Sequence, residues 1–300
     1  MAEINRISFH DQISRNKRKS MFLIIIIVAF FIALAYVISL IYQEYASLIL
    51  ILGIIFSVAY VLISYYNSDK IALASVGAKP ASYEKYRQLH HIVEGLCLAS
   101  GMPKPKIYVI PGKQINAFAS GRNPQNSVIA VTEGAIEKLN KQELEGVIGH
   151  ELSHIANYDI RFMTLVAVMV GMIAIISQIF LRSLWFSSGN RGGKDRGRGN
   201  AVLLLIGILL AILAPISVQL VSLAISRKRE YAADASSVKF TRSPTGLISA
   251  LKKIKSEHEP LKVSGAVSPL FMSDPKRRKI SGLFQTHPPI DERIRILERM

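Results

Sequence analysis

The sequence predicts an α+β fold: a mainly helical integral membrane protein with four apolar segments and a small β-sheet in its soluble part. Hydrophobic residues make up 50% of the 300 residues and charged residues only 19%. The four apolar runs come in two pairs, 21–42 with 46–66 and 162–185 with 201–225. The remaining chain has the composition of a soluble protein, and part of it holds short runs rich in β-branched residues, which predict strands.

The first apolar pair predicts a transmembrane hairpin that follows a basic N-terminus. Residues 1–20 carry several Lys and Arg just before the first run, and neither 21–42 nor 46–66 contains a charge. Each run is long enough to cross a bilayer. The first is too long for a signal-peptide core and lacks a small-x-small cleavage pattern, so we expect a retained anchor. Basic residues before a span predict a cytoplasmic N-terminus, hence a multi-pass protein of the cell membrane.

The net charge of +16 is concentrated beside apolar runs rather than in a nucleic-acid-binding pattern. Basic clusters lie at 15–19, at 227–229 and at 276–279. Such placement predicts contact with a lipid bilayer and its anionic headgroups. No RNA-binding or zinc-finger signature is present, so no nucleic-acid partner is expected. The single cysteine, Cys97, excludes an internal disulfide.

Residues 67–161 predict a soluble domain segment that mixes helices and strands. A helix is expected over 82–100, with Gly101 at its end, because apolar residues recur at helical spacing. Strands are expected at 106–110, 115–121 and 127–132, since turn-forming residues separate them. Helical patterns then return at 133–139 and again from about residue 144.

The second apolar pair is less uniform than the first. Residues 162–185 and 201–225 contain Gly, Pro, Ser and Gln, and a glycine-rich loop with four basic residues joins them. Positive charge in that loop argues against its lying outside, so whether both runs fully span stays open. Residues 226–300 predict a second soluble part, with a helix starting near Ser243-Pro244 and a closing helix around Ile290.

One five-residue stretch suggests chemistry: His150-Glu151-Leu152-Ser153-His154. The flanking apolar residues have helical spacing, which puts His150 and His154 on one face, one turn apart. Two imidazoles so placed can bind one zinc ion, and Glu151 beside them can act as a general base on water.

A catalytic zinc needs a third protein ligand. Glu230 and Asp234 are four residues apart and share a helix face, so either can supply it. Their alternative interpretation is a solvated, charged helix start after a membrane segment, and the spacing alone does not decide between the two.

The combined motifs resemble the HtpX-type membrane metalloproteases of the gluzincin clan, relatives of the CAAX prenyl-protein endopeptidases. The resemblance rests on the HExxH stretch, on Glu230-Tyr231-x-Ala233-Asp234, on "NAFA" at 116–119 and on "HPP" at 287–289. It covers nearly the whole chain, including the order of the apolar runs. It implies a zincin-like catalytic domain formed by 67–161 and 226–300, on either side of the hairpin 162–225.

The resemblance also implies a role for individual residues. One Zn²⁺ per chain is expected on three ligands: His150, His154 and Glu230. Glu151 matches the catalytic glutamate, and His287 matches a histidine that stabilises the oxyanion. Asp234 matches an acid that orients a ligating imidazole, and Arg293 a basic residue that supports that acid. Asn116, Ala117 and Phe118 match residues beside the substrate, where an extended peptide can add to a strand.

The function implied is a zinc metalloendopeptidase that cleaves membrane-protein or peptide substrates at the cytoplasmic membrane surface, in membrane-protein quality control. Two alternatives remain open. One is a prenyl-peptide-type processing endopeptidase, for which four apolar runs are few. The other is a membrane adaptor with a structural zinc site, for which Glu151 would have no use.

Overall fold

The computed structural model describes residues 9–40, 42–167, 227–257, 270–273 and 288–300. The predicted hairpin 162–225 falls outside these ranges except for residues 162–167, which are helical. Within them the protein is mainly helical with one small mixed sheet, as the sequence predicts.

Two long antiparallel helices form the apolar part of the described structure. Helix α1 spans Phe9–Ser39 and α2 spans Ala46–Tyr66, joined by a 3₁₀ turn at Gln43–Tyr45. The stretches Ser20–Ser39 and Gln43–Tyr66 are long and apolar enough to cross a membrane. Among the described residues, only Tyr83, Leu98 and Met300 are exposed large hydrophobic side chains outside this hairpin. An outward apolar surface confined to one hairpin is what lipid contact requires.

The helices of the hairpin touch at a small-residue contact. A Cβ built on Gly53 would lie 2.3 Å from the Cβ of Ala35, so a larger side chain at Gly53 would force the two helices apart. Close contact through small residues is typical of helices that pack in a membrane. Helix α1 is also longer than its apolar run, because it begins at Phe9 and includes most of the basic segment.

The sheet has four strands in the order β1-β2-β4-β3. They are β1 Lys79–Pro80, β2 Lys106–Ile110, β3 Ala117–Asn123 and β4 Asn126–Thr132. Strands β2 and β4 are parallel, and the other two pairs are antiparallel. Three of the strands agree with the predicted ones to within two residues at each end. Strand β3 lies at an edge, so only one of its sides pairs with another strand of the sheet.

Several helices surround this sheet. They are α3 Ser68–Ser75, α4 Arg87–Ser100, α5 Glu133–Lys138, α6 Lys141–Ala156, the helical residues 159–167 (α7), α8 Arg227–Thr241, α9 Thr245–Ser256 and α10 Ile290–Leu297. Helix α4 starts five residues later than predicted, and Gly101 ends it with φ 69°, the left-handed conformation that favours glycine. Helix α3 and strand β1 were not predicted.

Helix α6 lies at the centre of the soluble core, between β3 on one side and α8 and α9 on the other. It approaches α9 through two glycines. A Cβ on Gly146 would lie 2.6 Å from the main-chain nitrogen of Leu247, and one on Gly246 would lie 2.2 Å from the carbonyl oxygen of Gln142. This contact fixes the position of α6, and with it the position of the HExxH stretch.

Candidate metal centre

Helix α6 presents the HExxH residues to the protein interior. Its start is fixed by Asn140, whose side chain accepts a hydrogen bond from the main chain of Glu143 while the Glu143 carboxylate accepts one from the main chain of Asn140. Such a reciprocal cap defines where a helix begins. From there the apolar positions turn inward, so His150, Glu151 and His154 are also buried.

His150, His154 and Glu230 come together from two helices that are separated by 70 residues of chain, 157–226. The Nε2 atoms of the two histidines are 3.3 Å apart. Glu230 of α8 places Oε2 3.7 Å from Nε2 of His150 and Oε1 3.6 Å from Nε2 of His154. All three side chains are buried, and together they can hold a metal ion.

These separations suit a zinc ion. Two ligand atoms at about 2.0–2.1 Å from a tetrahedral ion are about 3.3–3.4 Å apart, close to the distances observed. Three protein ligands also leave one position open, which is the arrangement of catalytic rather than structural zinc sites. The donor set of two imidazoles and one carboxylate therefore fits zinc.

A buried ion pair orients His150. Its Nδ1–H donates to Oδ1 of Asp234 at 2.9 Å, which fixes the tautomer and turns the Nε2 lone pair towards Glu230. Arg293 of α10 donates to both oxygens of that carboxylate, at 2.9 and 2.6 Å. Burial by itself raises the pKa of Asp234, but the charge of Arg293 and the bond to His150 outweigh it and hold the pKa at about 2.

A second carboxylate, not predicted from the sequence, orients His154. Nδ1 of His154 lies 3.2 Å from Oδ2 of Asp159, which is fully buried at the start of α7. Burial lowers the pKa of His154, but Asp159 and Glu230 outweigh it and raise that pKa to about 9. The sequence feature that points to Asp159 is an acidic residue five positions after His154, beyond the turn at Asn157 and Tyr158.

Glu151 lies on the side of α6 that faces the sheet. Its carboxylate accepts a hydrogen bond from the main-chain N–H of Ala119 in β3. Burial raises the pKa of Glu151, and the nearby imidazoles act in the opposite direction. Glu151 is therefore held between the metal-binding histidine pair and the edge of β3, where it can accept a proton from a reacting water.

The three residues expected beside a substrate lie at the start of β3 and are buried. The side chain of Asn116 binds the main chain of Ser273 in both directions: Nδ2 donates to the Ser273 carbonyl at 3.0 Å and Oδ1 accepts from its N–H at 3.3 Å. The carbonyl of Ala117 accepts from the N–H of Met272 at 3.0 Å. Phe118 packs against Phe271 with ring centroids 5.0 Å apart. The chain's own residues 271–273 thus line this end of the edge strand.

Of the residues predicted for the site, the structure brings together His150, His154, Glu230, Glu151, Asp234 and Arg293. His287 lies outside the described residues, so its predicted role on the oxyanion stays a prediction. Asp159 joins the group as an addition.

Comparison with known proteins gives one family. Residues 84–300 match peptidase family M48. A "Protease HtpX homolog" of Caldanaerobacter subterraneus subsp. tengcongensis is 48% identical over 248 residues, which cover 82% of this chain and 83% of that protein. A second protein of the same description, from Dictyoglomus turgidum, is 42% identical over 297 residues, or 98% of this chain and 95% of that one.

Among solved structures, the crystal structure of S. mikatae Ste24p is similar to this chain. The match has a TM-score of 0.49 at 21% sequence identity, and it covers 94% of this chain and 65% of that chain.

Proposed function

Because the chain belongs to peptidase family M48 and is a metalloprotease, we propose that it is a zinc-dependent endopeptidase that cleaves misfolded or damaged membrane proteins at the cytoplasmic surface of the membrane. The observation that carries the proposal is the buried set His150, His154 and Glu230 with Glu151 beside it. A purely structural metal site has no need for a buried base next to its ligands.

The chain's own groups account for the chemistry of peptide hydrolysis. A zinc ion bound there would supply Lewis-acid polarisation of the scissile carbonyl and acidify water. Glu151 accepts the proton of the attacking water at its carboxylate and passes it to the leaving nitrogen. Asp234 and Asp159 keep both imidazoles in the Nδ1–H tautomer, so each Nε2 presents a lone pair.

The edge of β3 supports recognition of an extended peptide. At Ala119 the edge lies beside Glu151, and an added strand there would bring its main chain to the base, whereas the N–H of Gly121 further along already donates to Thr164. The N–H of Met272 already donates to the carbonyl of Ala117, so residues 271–273 mark where this binding edge begins. Recognition through the main chain favours unfolded segments of varied sequence, which suits the removal of damaged proteins.

The position of the site supports a membrane-surface location. Asn16 of α1 contacts Asp159, the partner of His154, and the apolar stretch of α1 begins at Ser20. Asn16 and Ser20 are four residues apart on α1, which corresponds to a rise of about 6 Å along the helix. At the end of α2, Tyr65 and Tyr66 lie under Arg161 and Arg122, a pairing of aromatic and basic residues typical of a membrane interface.

Purification without chelators and digestion assays test the enzymatic part. We expect about one zinc per chain and cleavage of casein that stops with a zinc chelator and returns on zinc addition. A chain that holds no zinc, or that cleaves equally well with the chelator, would remove the proposal. Liposomes test the substrate class: a heat-destabilised membrane protein should be cut and its folded form spared, whereas equal cleavage of both would contradict the quality-control role.

Reporter fusions test the orientation. Fusions at residue 44 should lie outside, and those at residues 70 and 140 should lie in the cytoplasm. A fusion at residue 140 found outside would place the active site on the opposite side of the membrane.

A further inference from the structure

The cytoplasmic extension of the first apolar helix reaches the metal centre. Asn16 of α1 is only 3% exposed, although it lies one turn before the apolar stretch. Its Nδ2 donates to Oδ1 of Asp159 at 2.7 Å and lies 3.3 Å from the carbonyl oxygen of Asn157. The side-chain amide of Asn16 thereby donates both of its hydrogens to the segment that connects α6 and α7.

The segment that connects α6 and α7 contains a residue with a rarely populated backbone conformation. Tyr158 adopts φ 57°, the left-handed conformation that a tyrosine rarely takes. This turn brings the start of α7 back towards α6, and Asp159 to the Nδ1 of His154. A sparsely populated backbone conformation persists when its surroundings hold it in place, and the amide of Asn16 does so on both sides of Tyr158.

The two imidazoles of the centre are supported by matching but unequal arrangements. On the His150 side, Asp234 is held by two short bonds from Arg293. On the His154 side, the guanidinium of Arg229 lies 3.5 Å from Asp159, at the limit of a hydrogen bond. The amide of Asn16, at 2.7 Å from the same oxygen, is the shorter contact. Asn16 therefore supplies the short hydrogen bond that fixes Asp159, while Arg229 supplies the nearby positive charge.

We propose that Asn16 is a positioning residue of the metal centre: it fixes the Asp159 carboxylate and, through it, the orientation of the zinc ligand His154. The zinc affinity of the protein then depends on the helix that anchors it in the membrane. This inference rests on the proposed function for the identity of the metal.

A double-mutant cycle tests the proposal with zinc affinity as the readout. Full-length wild type, Asn16→Ala, Asp159→Ala and the double variant are purified in detergent, and each zinc Kd is measured against a chromophoric chelator. Loss of an outer partner of a metal ligand typically weakens metal binding by about 10–100-fold. We expect a rise in Kd of about 10-fold for Asn16→Ala. In the Asp159→Ala background the same change should raise Kd less than about 2-fold, because the group through which Asn16 acts is gone.

Controls separate positioning from packing. Ser20 is fully buried one turn further along α1 and donates to the carbonyl of Asn16 rather than to Asp159, so Ser20→Ala should leave the zinc Kd unchanged. Asn16→Asp keeps the shape but removes the donor, so it should weaken zinc binding at least as much as Asn16→Ala. With Co²⁺ in place of zinc, the visible absorption bands should shift in both Asn16 variants and not in Ser20→Ala.

The outcomes are distinguishable. A wild-type zinc Kd and Co²⁺ spectrum in Asn16→Ala would overturn this inference and leave the proposed function intact. So would equal losses in Asn16→Ala and Ser20→Ala, or an Asn16→Ala effect that persists undiminished in the Asp159→Ala background. A wild-type protein that binds no zinc would overturn the proposed function and this inference together.

Discussion

Replacing Arg293 by methionine should lower both the free energy of unfolding of the protein and its affinity for the metal. Arg293 is 1% exposed, and its guanidinium forms two bonds with Asp234, which is fully buried. Methionine fills similar space but leaves that carboxylate without a cation. Breaking a buried ion pair by removing one partner costs about 3–5 kcal/mol. In a domain of this size 1 kcal/mol corresponds to about 2–4 °C, so the melting temperature should fall by roughly 6–20 °C.

The single cysteine gives a direct assay of this loss. Cys97 is buried in the core against which α6 packs, so its thiol reacts with a fluorogenic reagent only after that core opens. Heating the detergent-solubilised protein with the reagent reports the midpoint of unfolding. Arg295→Met is the matched control, since Arg295 lies exposed on the same helix and should shift the midpoint by less than about 2 °C. If Arg293→Met melted like this control and kept its zinc, the argument from the buried ion pair would be wrong.

Three further outcomes are expected. Glu151→Gln should retain zinc while cleavage falls by about 10²–10⁴-fold, whereas Glu230→Gln should lose zinc itself; equal zinc loss in both would show that the two roles are misassigned. The pKa of Glu143 is lowered, because hydrogen bonds from Lys253 and Ser249 outweigh burial. Glu143→Gln should therefore destabilise by about 1–3 kcal/mol at pH 7, and the difference from wild type should shrink as the pH falls below about 4.5, where the carboxylate becomes protonated in the unfolded and then the folded protein. Gly246→Ala should lower the melting temperature, because its Cβ would meet the Gln142 carbonyl at 2.2 Å, and an unchanged melting curve would contradict the close helix contact.

Local patterns in the sequence predict much of the fold. Apolar spacing and turn residues predict β2, β3 and β4 and the helix that carries His150, because these elements are defined within a few residues of chain. The sequence pattern does not predict the short helix α3, since α3 directly follows α2 and offers no boundary of its own. Apolar periodicity predicts too early a start for α4, because it does not reveal where a helix begins when no side chain caps it.

In the metal centre, too, the sequence predicts the local features but not the contacts between distant parts of the chain. HExxH and the pair Glu230 and Asp234 are recognisable because four-residue spacing on a helix is a local property. The contacts of Asn16 with Asp159 and of Asn116 with Ser273 join positions 143 and 157 residues apart. No local pattern encodes such contacts, since they depend on how whole elements pack.

The pairing of Asp234 with Arg293 also bears on when the protease becomes active during its synthesis. A nascent chain of 234 to 292 residues contains both histidines, Glu230 and Asp234 but lacks Arg293, so the carboxylate that orients His150 has no cation to hold it. The centre is complete only after translation has passed α10, when both hydrophobic helices of the N-terminal hairpin have long left the ribosome. A peptidase made beside other emerging membrane proteins thus becomes proteolytically active late in its synthesis, after its own insertion into the membrane has begun.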